Sequence, residues 1–316
     1  MRGIARMALA RLVGAVVMGG LVCGAAAARA GQAPPPARSR AEVEAILAKA
    51  PKPPAVEQLR ELNVILLAGK KDHGANEHDY PLWQKRWKVL LGGKAEGDEP
   101  KVNCFCPETE ADREKILAGA PKIKVTTAWD WPTKEQLEKA NLLVMFCAPR
   151  WNPDTIKDLE ALLARGGGFV MMHMAIWQDS KELGDIIGLS KQKDTAYRHG
   201  PVNLKIADAN HPITLGFPAT VLFEDETYYN FQGDASKIKL IGTCDEKVGG
   251  ETRAEPMFWC REVGKGRVYV CILGHFTWTF DDPLCRLLLL RGMAWAAGES
   301  PYRLDPLATA GIVLKE

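Results

Sequence analysis

The sequence has no surplus of charge of either sign: 41 Lys and Arg stand against 39 Asp and Glu, a formal charge of +2 over 316 residues. That balance removes the electrostatic reason to expect nucleic acid or an anionic membrane surface as a partner. The sequence also lacks an internal repeat, and it has no low-complexity tract beyond its leader. A repeat architecture is therefore excluded. No second close cysteine pair follows Cys104-Phe-Cys106 at zinc-ribbon spacing, so a disulfide to a distant partner is the better expectation there than zinc. The loop after the first apolar strand has no glycine-rich or hydroxyl-rich phosphate cradle, which argues against a flavodoxin-type cofactor site.

What is present is ordinary globular material, 47% hydrophobic and 25% charged, enough for one domain of roughly 250 residues. The N-terminus is the exception. Arg2, Arg6 and Arg11 precede an apolar, small-residue run from Leu12 to Ala28, and Ala28-Arg29-Ala30 has the form of a signal-peptidase site. Residues 1–30 are read as a removable export signal, which places the mature chain in the periplasm or outside the cell. The run is short and glycine-interrupted for a stable membrane span. A lipoprotein reading through Cys23 is weak because Val22 stands where a small residue is wanted. Seven cysteines remain after cleavage, and an odd count leaves at least one thiol unpaired. Cys147 and Cys271 sit in apolar runs, as small hydrophobes do.

Residues 31–60 read as a linker with a short helix from Arg40 to Ala50, ended by Pro51; the domain spans 61–300 and a tail covers 301–316. Val64 to Gly69 is a continuous apolar run closed by Gly, the pattern of a strand buried on both faces of a parallel sheet. A helix from Pro81 to Leu91 follows, then strands at Lys122–Thr127 and Leu142–Cys147. Thr133 and Gln136 form a capping box between those strands. Asn152 and Pro153 open a helix carrying Ile156, Leu159 and Leu163 on one face, which Gly166-Gly167-Gly168 ends. Phe169 to Met172 is a strand that runs directly into His173. This alternation predicts parallel βαβ units. Later strands are expected at Val202–Ile206, Val221–Glu224, Lys239–Gly242, Met257–Cys260 and Arg267–Leu273, with Asp282 and Pro283 opening a last amphipathic helix. The fold class expected is a three-layer α/β sandwich of the doubly wound, flavodoxin-like type, mainly parallel with antiparallel strands added late.

Ligand crevices in such sheets lie beyond the carboxyl ends of the strands. On this reading the His73–Tyr80 loop, His173, Asp225-Glu226 and His275 all fall there. His73 and His199 sit in apparent loops and could simply be solvated, and His211 before Pro212 fits a turn hydrogen bond better than catalysis. For His173 and His275 the plain alternative is a satisfied buried histidine.

Seven blocks then carry a resemblance: Gly166 to Ala175 (GGGFVMMHMA), His211-Pro212-Ile213-Thr214, Asp225-Glu226-Thr227-Tyr228, Pro256 with Trp259, Gly264 to Val268, Leu273-Gly274-His275 and Gly292 to Ala296. In order and spacing, over about 63 to 298, they resemble the ThuA-like, trehalose-utilisation family, and His78-Asp79-Tyr80 is similar to its early His-Asp pair. The stretch from Gly92 to Pro121 is a local elaboration. The family's fold is similar to class I glutamine amidotransferases, in which a cysteine on a strand-to-helix elbow attacks the amide with a later histidine as base. Here the elbow reads Met172-His173-Met174, so glutamine hydrolysis by that route is excluded, while His275 takes the place of the triad histidine.

The resemblance implies sugar utilisation, with a small-molecule carbohydrate as partner; a homo-oligomer is left open. His173, His275, Glu226 and Asp225 are the candidate catalytic residues, with Asp225 orienting Tyr228 or a backbone turn. His173, His275 and Glu226 could hold one divalent metal such as zinc, or the imidazoles could act as acid and base without it. His78, Asp79, His199, Tyr228 and Trp259 are the candidate substrate contacts. The competing expectation is a carbohydrate-binding or scaffold protein that keeps the fold without chemistry.

Overall fold

The computed structural model describes residues 33–109 and 113–316, so the expected export signal at 1–30 lies outside the described residues. The first half is built as its local chemistry dictates. Ser39 caps α1 (Arg40–Leu47) by accepting from Glu42 N, and β1 (Leu62–Ala68) follows with Val64 to Ala68 all buried. Asp79 caps α2 (Tyr80–Gly92), accepting from Leu82 N at 3.2 Å. A short α3 (Arg113–Ala118) lies within the Gly92–Pro121 elaboration, then come β2 (Ile123–Trp129), α4 (Lys134–Lys139) behind the Thr133–Gln136 capping box, and β3 (Leu142–Met145). Asn152 accepts from Asp154 N and Thr155 N to open α5 (Pro153–Ala164), a cap worth about 1 kcal/mol. Strand β4 (Gly168–Met172) ends at His173.

The second half contains α6 (Lys181–Ile187), β5 (Leu189–Ser190), β6 (Ala196–Ile206), β7 (Thr220–Tyr229), β8 (Gln232–Gly233), β9 (Lys239–Val248), β10 (Glu251–Val263), β11 (Gly266–Cys271) and α7 (Pro283–Ala296). The large sheet has the order β2-β1-β3-β4-β11-β10-β9-β6-β7. Strands β2 to β11 in that order are mutually parallel, and each later neighbour is antiparallel. Helices α5 and α7 both pack on β4 and β11: Gly292 of α7 lies against Tyr269, which pairs with Val170, whereas Trp151, just ahead of α5, packs on the alternate residue Phe169, so the two helices cover opposite faces. The result is a three-layer sandwich.

Three sequence expectations change here. Strand β7 runs through Tyr229, so Asp225, Glu226 and Tyr228 lie within it rather than after it, and His199 lies on β6 rather than in a loop. The physical reason is pairing: residues 196–205 of β6 match 220–229 of β7 one to one, and that ladder holds polar residues in strand that their own propensity would release. The end of the chain is not a free tail either, for Pro301–Leu307 forms a 3₁₀ helix with Tyr302, Leu304 and Leu307 buried. It is tied to α7 by Arg291, fully buried and paired with Asp305 at 2.8 Å. Finally, Cys104, Cys106, Cys147, Cys244, Cys260, Cys271 and Cys285 are all free, so no disulfide forms among the described residues.

The geometry of the β6–β7 hairpin positions the site. Strand β6 is eleven residues long but pairs with β9 only at Lys205 and Ile206. The rest of the hairpin is released from the sheet plane and turns over the carboxyl ends of the parallel strands. There the indole N–H of Trp278 donates to Glu224 O at 2.9 Å. Asp225, completely buried, accepts from the backbone N–H groups of Gly274 at 3.0 Å and His275 at 2.9 Å, and from the Thr279 hydroxyl.

Candidate functional site

Strands β4 and β11 are neighbours, so His173 and His275, which follow them, emerge side by side. His173 opens a 3₁₀ turn with φ +50, a left-handed conformation costly for a branched-off side chain and one that aims the ring into the cleft. Gly274 makes room, since a Cβ on it would come within 3.2 Å of His173 Cβ. His78, also left-handed at φ +41, comes from the β1–α2 loop. That loop is stitched to the segment after β11 by His78 N donating to His275 O at 2.9 Å and Thr277 N donating to Asn76 O at 2.8 Å.

Four side chains converge, each no more than 4% exposed: His78, His173, Glu226 and His275. His173 Nδ1 is 2.7 Å from Ile272 O; a carbonyl only accepts, so Nδ1 carries a proton, and in the neutral ring Nε2 presents a lone pair. Three groups crowd around that nitrogen: His78 Nε2 at 2.8 Å, Tyr228 Oη at 2.9 Å and Glu226 Oε2 at 3.3 Å. Glu226 Oε2 also lies 3.0 Å from His275 Nδ1, but off its axis, and neither buried ring nitrogen of His275 has an aligned hydrogen bond. The ligand atoms of all four residues lie within 4.8 Å of one another. Tetrahedral zinc with N and O ligands at about 2.0–2.1 Å separates them by about 3.3 Å. The cluster therefore fits a cation, and His78 joins the three ligands expected from sequence.

The electrostatics follow from burial and contact. Burial would raise the Glu226 carboxyl, but its contacts with His173 and His275 outweigh that and hold it well below the ordinary carboxylate range. Burial would lower His275, yet Glu226 raises it overall. His78 is driven far below a normal imidazole by burial and then by the other three imidazoles around it. Burial, and then the Glu226 charge, push the Tyr228 phenol well up.

A second ring of groups surrounds these. Asp72 Oδ1 is 3.0 Å from His78 Nδ1, Glu77 Oε1 is 3.6 Å from His275 Nε2, and His199 Nε2 is 2.7 Å from Glu226 Oε1. An aromatic wall flanks the imidazoles: Trp177 lies 4.5 Å from Tyr228 and 5.9 Å from Tyr197, ring to ring, and Tyr197 is 50% exposed. Asp72, Glu77, Tyr80, Trp177 and Tyr197 were not singled out from the sequence. Alternation along β6 could have found one of them, because Tyr197 and His199 are two apart on a strand and share a face.

Two expected substrate contacts fall elsewhere. Trp259, on β10, is fully buried and donates its indole N–H to Ile187 O at 2.8 Å at the end of α6, so it is a core residue without a cleft-facing ring. Asp79 serves as the N-cap of α2 and lies 3.5 Å from Lys71. Asp225 orients the backbone turn at Gly274-His275, and His211 Nδ1 accepts from Ile213 N at 3.2 Å in its own turn. His73 stands at the mouth, its ring 3.7 Å from that of His78.

A family model described as ThuA, trehalose utilisation, matches residues 107–296. The chain belongs to this ThuA family. The fold is shared with solved structures described as ThuA-like. One, from Bacteroides uniformis, is 15% identical with a TM-score of 0.54 and covers 80% of this chain and 99% of its own. Another, from Parabacteroides merdae, is 21% identical with a TM-score of 0.52, covering 76% and 92%. No curated protein matches the sequence. No helix among the described residues is long and apolar enough to cross a membrane.

Proposed function

We propose that this ThuA-family protein is an exported enzyme of carbohydrate catabolism that acts on a glycoside or keto-sugar at the His78, His173, His275 and Glu226 cluster, where it binds one divalent metal ion of the zinc type. The observation that carries the reading is the 2.8 Å approach of two ring nitrogens, one of which is fixed as a lone pair. A cation there would take the lone pairs of both rings, with the Glu226 charge beside it. A bound divalent ion supplies Lewis-acid polarisation of a sugar oxygen and a lowered pKa for water.

The chain's own residues do the rest. Glu226, kept ionised, provides the negative charge, and His199 holds its outer oxygen at 2.7 Å. Tyr228 keeps its phenolic proton to well above neutral pH and can donate it to a substrate oxygen. Tyr197 and Trp177 offer apolar faces on which a sugar ring stacks, and the low net charge suits a neutral ligand.

The test is elemental analysis of the purified protein with His173→Ala and His275→Ala beside it, together with turnover of keto-disaccharides and glycosides. One metal ion per chain, lost with either histidine along with turnover, supports the proposal. A metal-free protein whose sugar turnover survives both substitutions refutes it. Sugar binding that withstands chelator and yields no product favours the non-catalytic carbohydrate-binding alternative.

A further inference from the structure

We infer that Asp72, a carboxylate on the loop between β1 and α2, is a positioning residue that decides which nitrogen of His78 faces the cluster. The inference rests on the metal-binding reading above and deepens it. A neutral imidazole has one donor nitrogen and one acceptor nitrogen, and it presents a lone pair inward only when its outward nitrogen keeps the proton. An outward proton needs an acceptor. His173 has one in the Ile272 carbonyl. His78 has one in Asp72 at 3.0 Å. Both rings thus meet an oxygen that can accept at the nitrogen turned away from the cluster, the pattern by which carboxylates and carbonyls orient metal-binding histidines.

Asp72 has this role because a rival donor is in place. The Tyr80 hydroxyl lies 3.0 Å from His78 Nδ1 and 3.1 Å from Asp72 Oδ2. While the carboxylate is present it takes the phenolic proton, and the His78 Nδ1 proton goes to Asp72 Oδ1. Without it the phenol turns to donate to Nδ1, the ring proton moves to Nε2, and an N–H points where a lone pair is needed. Loss of Asp72 therefore inverts the tautomer of His78.

The test uses the full-length protein with ¹⁵N-labelled histidine, wild type and Asp72→Ala, both checked for fold by circular dichroism. Zinc affinity is read by chelator competition, and the His78 tautomer from ring-nitrogen shifts of the zinc-loaded wild type, because without a cation His78 Nε2 can donate to His173 Nε2 2.8 Å away. We expect Nδ1–H on zinc-loaded His78 and an affinity for zinc reduced about 10- to 100-fold in Asp72→Ala. His78 protonated on Nε2 with zinc bound overturns the inference, and so does undiminished zinc affinity in folded Asp72→Ala. A wild type that binds no zinc defeats the metal reading on which the inference rests.

Discussion

Glu226 Oε2 lies 3.0 Å from His275 Nδ1, although Glu226 is on β7 and His275 follows β11, four places away in the sheet order. At about 4.8 Å per strand a flat sheet would separate them by about 19 Å. The contact exists because β6 lets go of β9 after two residue pairs and the hairpin folds back across the strand ends. The carboxylate of the site is thus delivered by a hairpin and the imidazoles by loops of the parallel half, and the joint between them is Asp225.

Asp225 should therefore matter for stability before it matters for chemistry. Its carboxylate accepts from Gly274 N, His275 N, Glu226 N at 2.6 Å and the Thr279 hydroxyl, all buried. Asp225→Ala leaves those donors without an acceptor and should cost about 3 kcal/mol, seen as a lower denaturant midpoint. Thr279→Ala removes one donor and should cost about 1 kcal/mol. Equal and negligible effects would mean the hairpin is held by something else.

Trp259 and Tyr197 should separate core from binding wall. Trp259→Ala empties a fully buried site and loses an indole hydrogen bond, a change of about 3–5 kcal/mol in stability. Tyr197→Ala, at a half-exposed position, should change stability by no more than about 0.5 kcal/mol while weakening carbohydrate binding by about 0.5–1.5 kcal/mol. Calorimetric titration beside thermal melts distinguishes them, and the reverse pattern would return Trp259 to the site.

The metal-free protein should lose stability on acidification in two stages. His78 has a folded pKa far below its ordinary 6.5, so below about pH 6.5 the unfolded chain binds a proton the native state refuses, and stability falls. Glu226 is also depressed, from 4.5, so its contribution is present above that pH and is lost below it. His275 is raised and acts oppositely: its contribution is full below 6.5 and disappears as pH rises through its folded value. Melting temperatures from pH 4 to 9 should peak near neutrality, with the acid limb steeper; substitution of His78 by Asn should flatten the stage below 6.5.

Much of the fold was legible because it is locally encoded. The β1 run is apolar at every position since both its faces are covered, the Asn152, Thr133 and Asp282 caps announce their helices, and a glycine-flanked strand ending in His173 reads directly as a strand-end side chain. The bringing together of His173 and His275 follows from β4 and β11 being neighbours, a topological fact that their sequence blocks suggested through family resemblance. His78 was expected to touch substrate and instead lies against His173, because the β1–α2 loop is pinned by backbone bonds to residues about 200 positions away.

The sequence by itself determined the main strands of the parallel half, the caps that open α4, α5 and α7 and the absence of a cysteine at Met172-His173-Met174, for each of these is a property of a few consecutive residues. Only the tertiary structure decided that Glu226 and His199 lie within strands, that His78 stands among the imidazoles, that Trp259 faces the core, and that Asp72 and Glu77 stand behind the ligand rings. Those outcomes depend on cross-strand pairing and on where the β6–β7 hairpin leaves the sheet. Pairing energy between distant segments leaves no periodic mark on either segment alone.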